Sequence, residues 1–522
     1  MTKITIFCLL LGFCSRISFA DTAAPGGQDI ETVLNQFEAY AESAQKQWGI
    51  PGMAIAIVKD DQVIFAKGFG VKRVGGTDPV DPNTVFQIGS TSKAFTSALA
   101  AIQVDDGKMN WKDRVIDHDP DFEMYDAWVT REFQIWDLMA QHSGMQPYAG
   151  DYMAILGFPP EYILSKIRFM KPITSFRSEF GYVNNLFLVA GGLIERASGK
   201  TWGENLQTHI FDPLGMKSSS STQAAFVAVP NAAAPHKIVN GKVTAFSSTD
   251  PNTAWAYTYA PSGGVNSSAM DMAQWVRMLL GSGKYNGKQI VKAENLAFVM
   301  SPHTILQSFS AGPFAKSPLA NRPNYYCEGW VYSEANPYPI IWHNGDNSFN
   351  HVAIGLIPDK RTGIVILTNL GGTSLAEALM LKYYELFLAR AASDISTAMY
   401  EAYLENQKAA RAPFAKRPSP NAPAQPLERY AGKFNNPVYG DLLVESDGHK
   451  LWMTIGPRKL KMELIHWNHD SFVVSTPATD AFLGDSGSAT FSFAKDGKVS
   501  VITWDGLNDV NDGRFVVVTP TQ

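Results

Sequence analysis

Cysteine is nearly absent from this chain: there are three in 522 residues, and Cys8 and Cys14 both lie in an apolar run at the N-terminus. Only Cys327 stands in the body of the sequence, so an internal disulfide framework is excluded and stability has to come from a large core. HExxH and CxxC spacings are missing as well, which leaves no metal-ligating cluster and no cofactor to expect. Neither sign of charge is in excess, with 44 basic against 49 acidic residues. That balance excludes the basic face of a nucleic-acid binder. No apolar run reaches the ~20 residues of a spanning helix, so no integral membrane span is expected once a leader is removed.

A leader is the first thing present. Lys3 precedes an apolar stretch over residues 4–14, and Ser18-Phe19-Ala20 places small residues where an export peptidase reads. Cleavage after Ala20 is expected, giving a signal peptide over residues 1–20 and a periplasmic or extracellular protein.

Beyond the leader, apolar residues recur at helical spacing through Val33, Phe37 and Tyr40, which predicts an amphipathic first helix. The period then changes to that of a β-hairpin over residues 53–68, turning at Lys59-Asp60-Asp61. A helix-rich middle follows. Strands around residues 340–342 and 363–368 and a helix over 375–391 complete an α+β domain spanning residues 29–411. Residues 412–426 are rich in Pro and Ala and read as a linker. From residue 427 to 522, short alternating strands with Gly and Asp turns predict a small closed β-barrel. Its tryptophans, Trp452, Trp467 and Trp504, read as packing rather than a ligand box.

The chemistry starts at Ser90-Thr91-Ser92-Lys93. A serine hydroxyl is a weak nucleophile near neutral pH and needs a base against it. If Ser90 opens a helix over residues 91–103, Lys93 follows one turn on, on the same face. Ser-x-x-Lys alone is weak, since roughly two are expected by chance in a chain of this length. It recurs at Ser43 to Lys46 and Ser492 to Lys495, both read as solvated surface pairs. Two further segments give Ser90 company. Tyr182-Val183-Asn184 offers a phenol that a neighbouring ammonium could hold near its phenolate, and an amide to hold substrate and Lys93. His343-Asn344-Gly345 follows the strand at 340–342. There, backbone N–H groups of Ser90 and Asp346 could form an oxyanion hole. His142-Ser143-Gly144 and Arg361-Thr362-Gly363 compete for the third role, and read as a helix stop and a hairpin turn.

Ser-x-x-Lys, Tyr-x-Asn and His-x-Gly in this order resemble the class C β-lactamase and penicillin-binding-protein-related serine hydrolases, a family that includes D-aminopeptidases, DD-peptidases and esterases. Phe86-Gln87-Ile88-Gly89 before Ser90, Pro213-Leu214-Gly215-Met216, Ser262-Gly263-Gly264 and residues 363–369 add to the likeness. The resemblance implies a transpeptidase-like antiparallel sheet flanked by helices, with the site under a helical lobe. It also implies a lipocalin-like tail. Ser90, Lys93 and Tyr182 are then the catalytic residues, and Asn184, His343, Asn344, Gly345 and Asp346 the substrate and oxyanion residues. One departure stands out. Relatives carry a Gly-Phe pair after the third triplet, whereas here Gly345 runs into Asp346-Asn347-Ser348-Phe349, apparently one residue shorter. Relatives that cleave β-lactams place a lysine where His343 stands, and a histidine with a pKa near ~6.5 is mostly neutral at pH 7.5. Peptide amides, D-amino-acid substrates or esters are therefore expected ahead of β-lactams or DD-carboxypeptidase substrates. A non-catalytic envelope binding protein is the alternative from another class. Small-molecule or short-peptide substrates are the expected partners, with the assembly state open. A barrel beside the cleft is expected to act as a lid or size filter.

Overall fold

The computed structural model describes residues 29–306, 312–411, 419, 422–475, 485–510 and 513–518. The leader and most of the linker read from the sequence lie outside them. Among the described residues, no helix is long and apolar enough to cross a membrane.

Helix α1 (Ile30–Trp48) begins at Asp29, whose carboxylate accepts from Thr32 N, and ends at Gly49 with a left-handed φ of 65°. Both ends follow helix-terminus rules, an acceptor at the N-cap and glycine past the C-terminus. Strands β1 (Gly52–Lys59) and β2 (Gln62–Gly70) form the expected hairpin. Six more strands complete an antiparallel sheet: β3 (Thr304–Leu306), β4 (Asn324–Tyr326), β5 (Val331–Ser333), β6 (Ile340–Asp346), β7 (His351–Ile357) and β8 (Thr362–Thr368). Their spatial order is β2-β1-β8-β7-β6-β5-β4-β3.

Strand β1 shows how this sheet is held. Met53, Ile55 and Ile57 pack with Val33 and Phe37 of α1 in one core, while Ala54, Ala56 and Val58 belong to the core on the opposite face. Successive side chains point to opposite faces, so a strand covered on both sides reads as one apolar run. On the first face α1 packs with α5 (Leu375–Phe387) and α6 (Ile395–Arg411); Trp48 Nε1 donates to Ser396 Oγ at 2.9 Å. On the second face lies the helical lobe, with α2 (Ser92–Asp105), α3 (Asn184–Ser198) and α4 (Ala269–Leu280). Phe95 of α2 stacks on Trp275 of α4 at 4.2 Å between centroids.

The tail is a closed eight-stranded barrel: β9 (Gly432–Asn436), β10 (Gly440–Ser446), β11 (Leu451–Ile455), β12 (Leu460–Asn468), β13 (Ser471–Ser475), β14 (Asp485–Phe493), β15 (Val499–Trp504) and β16 (Arg514–Val517). Each strand pairs with the next, and β9 closes on β16. Closure removes the exposed edges. Trp504 is fully buried in its core, and Trp452 lies under Lys461. The barrel rests on the lobe, where Arg458 N donates to Leu156 O at 3.1 Å and Tyr162 OH to Val438 O at 3.2 Å.

Candidate active site

Ser90 stands in the 3-10 turn Gly89–Thr91 that leads into α2, so Lys93 lies on the first turn of that helix. Lys93 is fully buried. Its Nζ is 3.3 Å from Ser90 Oγ, and it donates to Asn184 Oδ1 at 2.6 Å and to the Ser262 carbonyl at 3.1 Å. A neutral amine has two N–H bonds and one lone pair. With both N–H bonds taken by Asn184 and Ser262, the lone pair is left for the Ser90 hydroxyl. Burial pushes the Lys93 ammonium down to about 7, against the opposing charge of Asp151.

Tyr182 packs against this amine, its ring centroid 4.5 Å from Nζ. Its hydroxyl is buried without a hydrogen-bond partner of good geometry, and Ser90 lies beside it. Burial holds the phenol well above its usual range, with Ser90 only partly offsetting this. Burial therefore favours the neutral phenol over the phenolate expected from the sequence.

Strand β6 passes directly by the nucleophile. A methyl group on Gly345 would collide with the Ile88 carbonyl and lie 3.0 Å from Ser90 N; one on Gly89, at φ +52°, would lie 3.1 Å from Asp346 N. Only glycine allows this approach, and it brings the Ser90 and Asp346 amides to one crevice. His343 is 3 % exposed, with Nε2 3.1 Å from Tyr326 OH and Nδ1 against the Asn344 carbonyl. Burial, followed by the Lys93 charge, drives its pKa down to about 3, so the ring is neutral.

These side chains open into a cleft of about 700 Å³, lined in part by Tyr148, Asp151, Trp255 and Asp509. A family model described as Beta-lactamase matches residues 37–386. The chain belongs to the β-lactamase family. A second model, a domain of unknown function (DUF3471), matches residues 416–515, across the barrel. The β-lactamase-family chain is 27 % identical to an unguisins hydrolase of Aspergillus campestris, over 81 % of this chain and 78 % of that protein. It is 26 % identical to Protein flp of Staphylococcus aureus, over 64 % and 63 % of the two chains. A solved structure, the octameric penicillin-binding protein homologue from Pyrococcus abyssi, superposes with a TM-score of 0.61 at 20 % identity, over 92 % of this chain and 99 % of that one.

Asn344 and Asp346 border the cleft, but their side-chain hydrogen bonds run away from Ser90. The Asn344 amide donates to Glu377 of α5 at 2.7 Å. The Asp346 carboxylate accepts from Gly372 N at 2.6 Å, from Ser348 N and from His351 Nδ1 at 2.7 Å. What Asp346 brings to the crevice is its backbone. Burial would raise its carboxyl, but the hydrogen bond and charge of His351 hold it below its usual range. The turn after β6 closes without the family glycine, because Ser348 takes φ 71° and Asn347 Oδ1 accepts from Phe349 N and Asn350 N. An amide acceptor of this kind stabilises the turn locally.

His351 had no motif to mark it. It bridges Asp346 and Glu377, its Nε2 2.8 Å from Glu377 Oε1. The competing triplets have other duties: His142 is buried against Asp137 at 2.7 Å and Thr304 at 2.9 Å, and Arg361 pairs with Asp60 at an exposed turn. The other Ser-x-x-Lys pairs are on the surface, with Lys46 bound to Glu42. No group of metal-ligating side chains occurs among the described residues.

Proposed function

We propose that the protein is an exported serine hydrolase that cleaves peptide amides, D-amino-acid derivatives or esters through an acyl-enzyme on Ser90. The observation that carries this reading is the Lys93 amine, with two acceptors engaged and its remaining lone pair facing Ser90 Oγ at 3.3 Å. In the acylation step Ser90 gives its proton to Lys93 while Oγ bonds to the substrate carbonyl carbon. The oxyanion is held by the Ser90 and Asp346 amides, each donor being worth about 2.7–4 kcal/mol in such sites. As the tetrahedral centre collapses, the Tyr182 phenol protonates the leaving group and recovers a proton from the Lys93 ammonium. Water then repeats the sequence on the acyl carbon, and Ser90 departs as the leaving group with its proton restored.

The lining of the cleft supports the substrate class. Among its described lining residues there is no lysine or arginine. With His343 neutral, a substrate carboxylate lacks the cation that β-lactams and DD-peptidase substrates need. One similar protein is named for hydrolysing unguisins, consistent with hydrolase chemistry on this scaffold. A panel of a short ester, a D-alanyl anilide, an L-alanyl anilide and a cephalosporin tests the reading. We expect ester or anilide turnover to exceed cephalosporin turnover by about 100-fold or more, a difference of roughly 3 kcal/mol in transition-state binding. Comparable rates would overturn the substrate assignment.

Because the neutral amine is the working form, kcat/KM for a short ester should rise about tenfold per pH unit below the Lys93 pKa and level off above it. That pKa lies at about 7. A pH–rate profile over the acid range checks this; a flat profile there contradicts Lys93 as the base.

A further inference from the structure

The barrel reaches the candidate base through a chain of short hydrogen bonds. Lys93 Nζ donates to Asn184 Oδ1 at 2.6 Å, and Asn184 Nδ2 donates to Asp151 Oδ2 at 2.7 Å. One residue earlier, Gly150 N donates to Asp509 Oδ2 of the barrel at 2.9 Å. Asp509 in turn accepts from Tyr439 OH at 2.6 Å, and both barrel residues are buried. Tyr259 OH holds the other side of the same residue, donating to Gly150 O at 2.9 Å.

The segment so gripped is a tight turn, with Asp151 N donating to Tyr148 O at 3.0 Å. Tyr148 stands at φ 64° and Gly150 at φ 81°, a left-handed region that costs a non-glycine residue free energy and persists only where the surroundings enforce it. The Asp151 Oδ1 is shut off from solvent without a hydrogen-bond partner. The direction of the Asn184 amide matters most. It presents oxygen to Lys93 only while Asp151 is in place to accept from its nitrogen; a flipped amide would aim its donors at the amine.

We propose that Asp509 of the barrel is a positioning residue for the hydrolase site, acting through residues Gly150 and Asp151 and through Asn184 on the amine of Lys93. This rests on the acyl-enzyme reading above. It gives the barrel a part in turnover of every substrate, small ones included, where a lid or size filter would affect large substrates alone.

The charges make the same link with a definite sign. The groups facing Asp151 are Lys93 from α2, Tyr148, Tyr152, Tyr182 and Tyr259 from the lobe, and Tyr439 and Asp509 from the barrel. Burial first, and the Asp509 charge among the lesser causes, push Asp151 up to about 8. Removing the Asp509 charge lowers Asp151, and the carboxylate charge gained there raises Lys93. The acid limb of the rate profile then moves to higher pH.

Asp509→Asn and Tyr439→Phe in the full-length protein test this with a short ester. Asp509→Asn is expected to lower kcat by about tenfold or more with KM nearly unchanged, and to move the acid limb upward. Asp509→Glu should restore part of kcat. Tyr439→Phe should act in the same direction more weakly, and decides the matter if Asp509→Asn fails to fold. A folded variant with unchanged kcat and limb, or a change in KM alone, overturns the proposal. Fluorophosphonate labelling of wild-type Ser90 runs beside it; its loss would instead remove the acyl-enzyme reading itself.

Discussion

Alanine in place of Ser90 is expected to reduce ester turnover by roughly 10⁴- to 10⁶-fold, the range seen when a nucleophile that works as a unit with its base is removed. The size follows from the geometry. Among the described residues Ser90 is the one hydroxyl bonded to Lys93, and a water in the vacated position would lack the fixed approach that Gly345 and Gly89 give Oγ. Stability should change little, within about 0.5 kcal/mol, because the Lys93 amine keeps Asn184 and Ser262 as partners. A steady-state ester assay with a urea melt of each protein checks both halves. Turnover within tenfold of wild type would remove Ser90 from the mechanism.

Replacing His351 with glutamine is expected to destabilise the hydrolase domain by about 3–5 kcal/mol, the cost of leaving buried carboxylates without their cation. His351 lies between Asp346 at 2.7 Å and Glu377 at 2.8 Å, and Glu377 is wholly buried. Burial alone would lower its pKa, but the Glu377 charge and the hydrogen bonds to both carboxylates raise it to about 10. A raised basic pKa contributes stability that is fully present below the unfolded value near ~6.5. That contribution is lost as pH rises through about 10. The difference between wild type and variant should therefore be large at pH 6 and shrink by pH 10, read as urea midpoints. Equal differences at both pH values would contradict a charged His351. Catalysis should fall with it, since Asp346 carries one of the two amides proposed to hold the oxyanion.

Local rules made much of this legible. Asp29 and Gly49 mark the ends of α1, and the turn at Asp60-Asp61 marks the first hairpin, because caps and turns depend on neighbours in sequence. Ser90, Lys93, Tyr182 and His343 were found by motif; Ser90, Tyr182 and His343 line one cleft, with Lys93 buried against Ser90 beside it. Strand β7 went unread because it is buried on both faces and so shows no alternation. Strands β3, β4 and β5 have only three residues each, too few for a period to appear. In the barrel, β9 and β12 were missed because Gly432, the paired Asn435 and Asn436 and the Lys461 to Glu463 stretch weaken the apolar pattern. His351, Glu377, Asp151 and Asp509 carry no motif at all. Each is a single ionisable residue whose meaning comes from a partner far away in the chain, so only the packed structure can pair them. The Asp346 carboxylate had no account from the sequence for a related reason: sequence shows it beside the proposed oxyanion site, but not that Gly372 N and His351 claim it.

The most direct measurement is the intact mass of the protein after brief mixing with an activated ester, followed by peptide mapping. A gain of one acyl group carried by Ser90, absent from the Ser90→Ala protein, is the result expected. No adduct under turnover conditions, or an adduct carried by another residue, would contradict it.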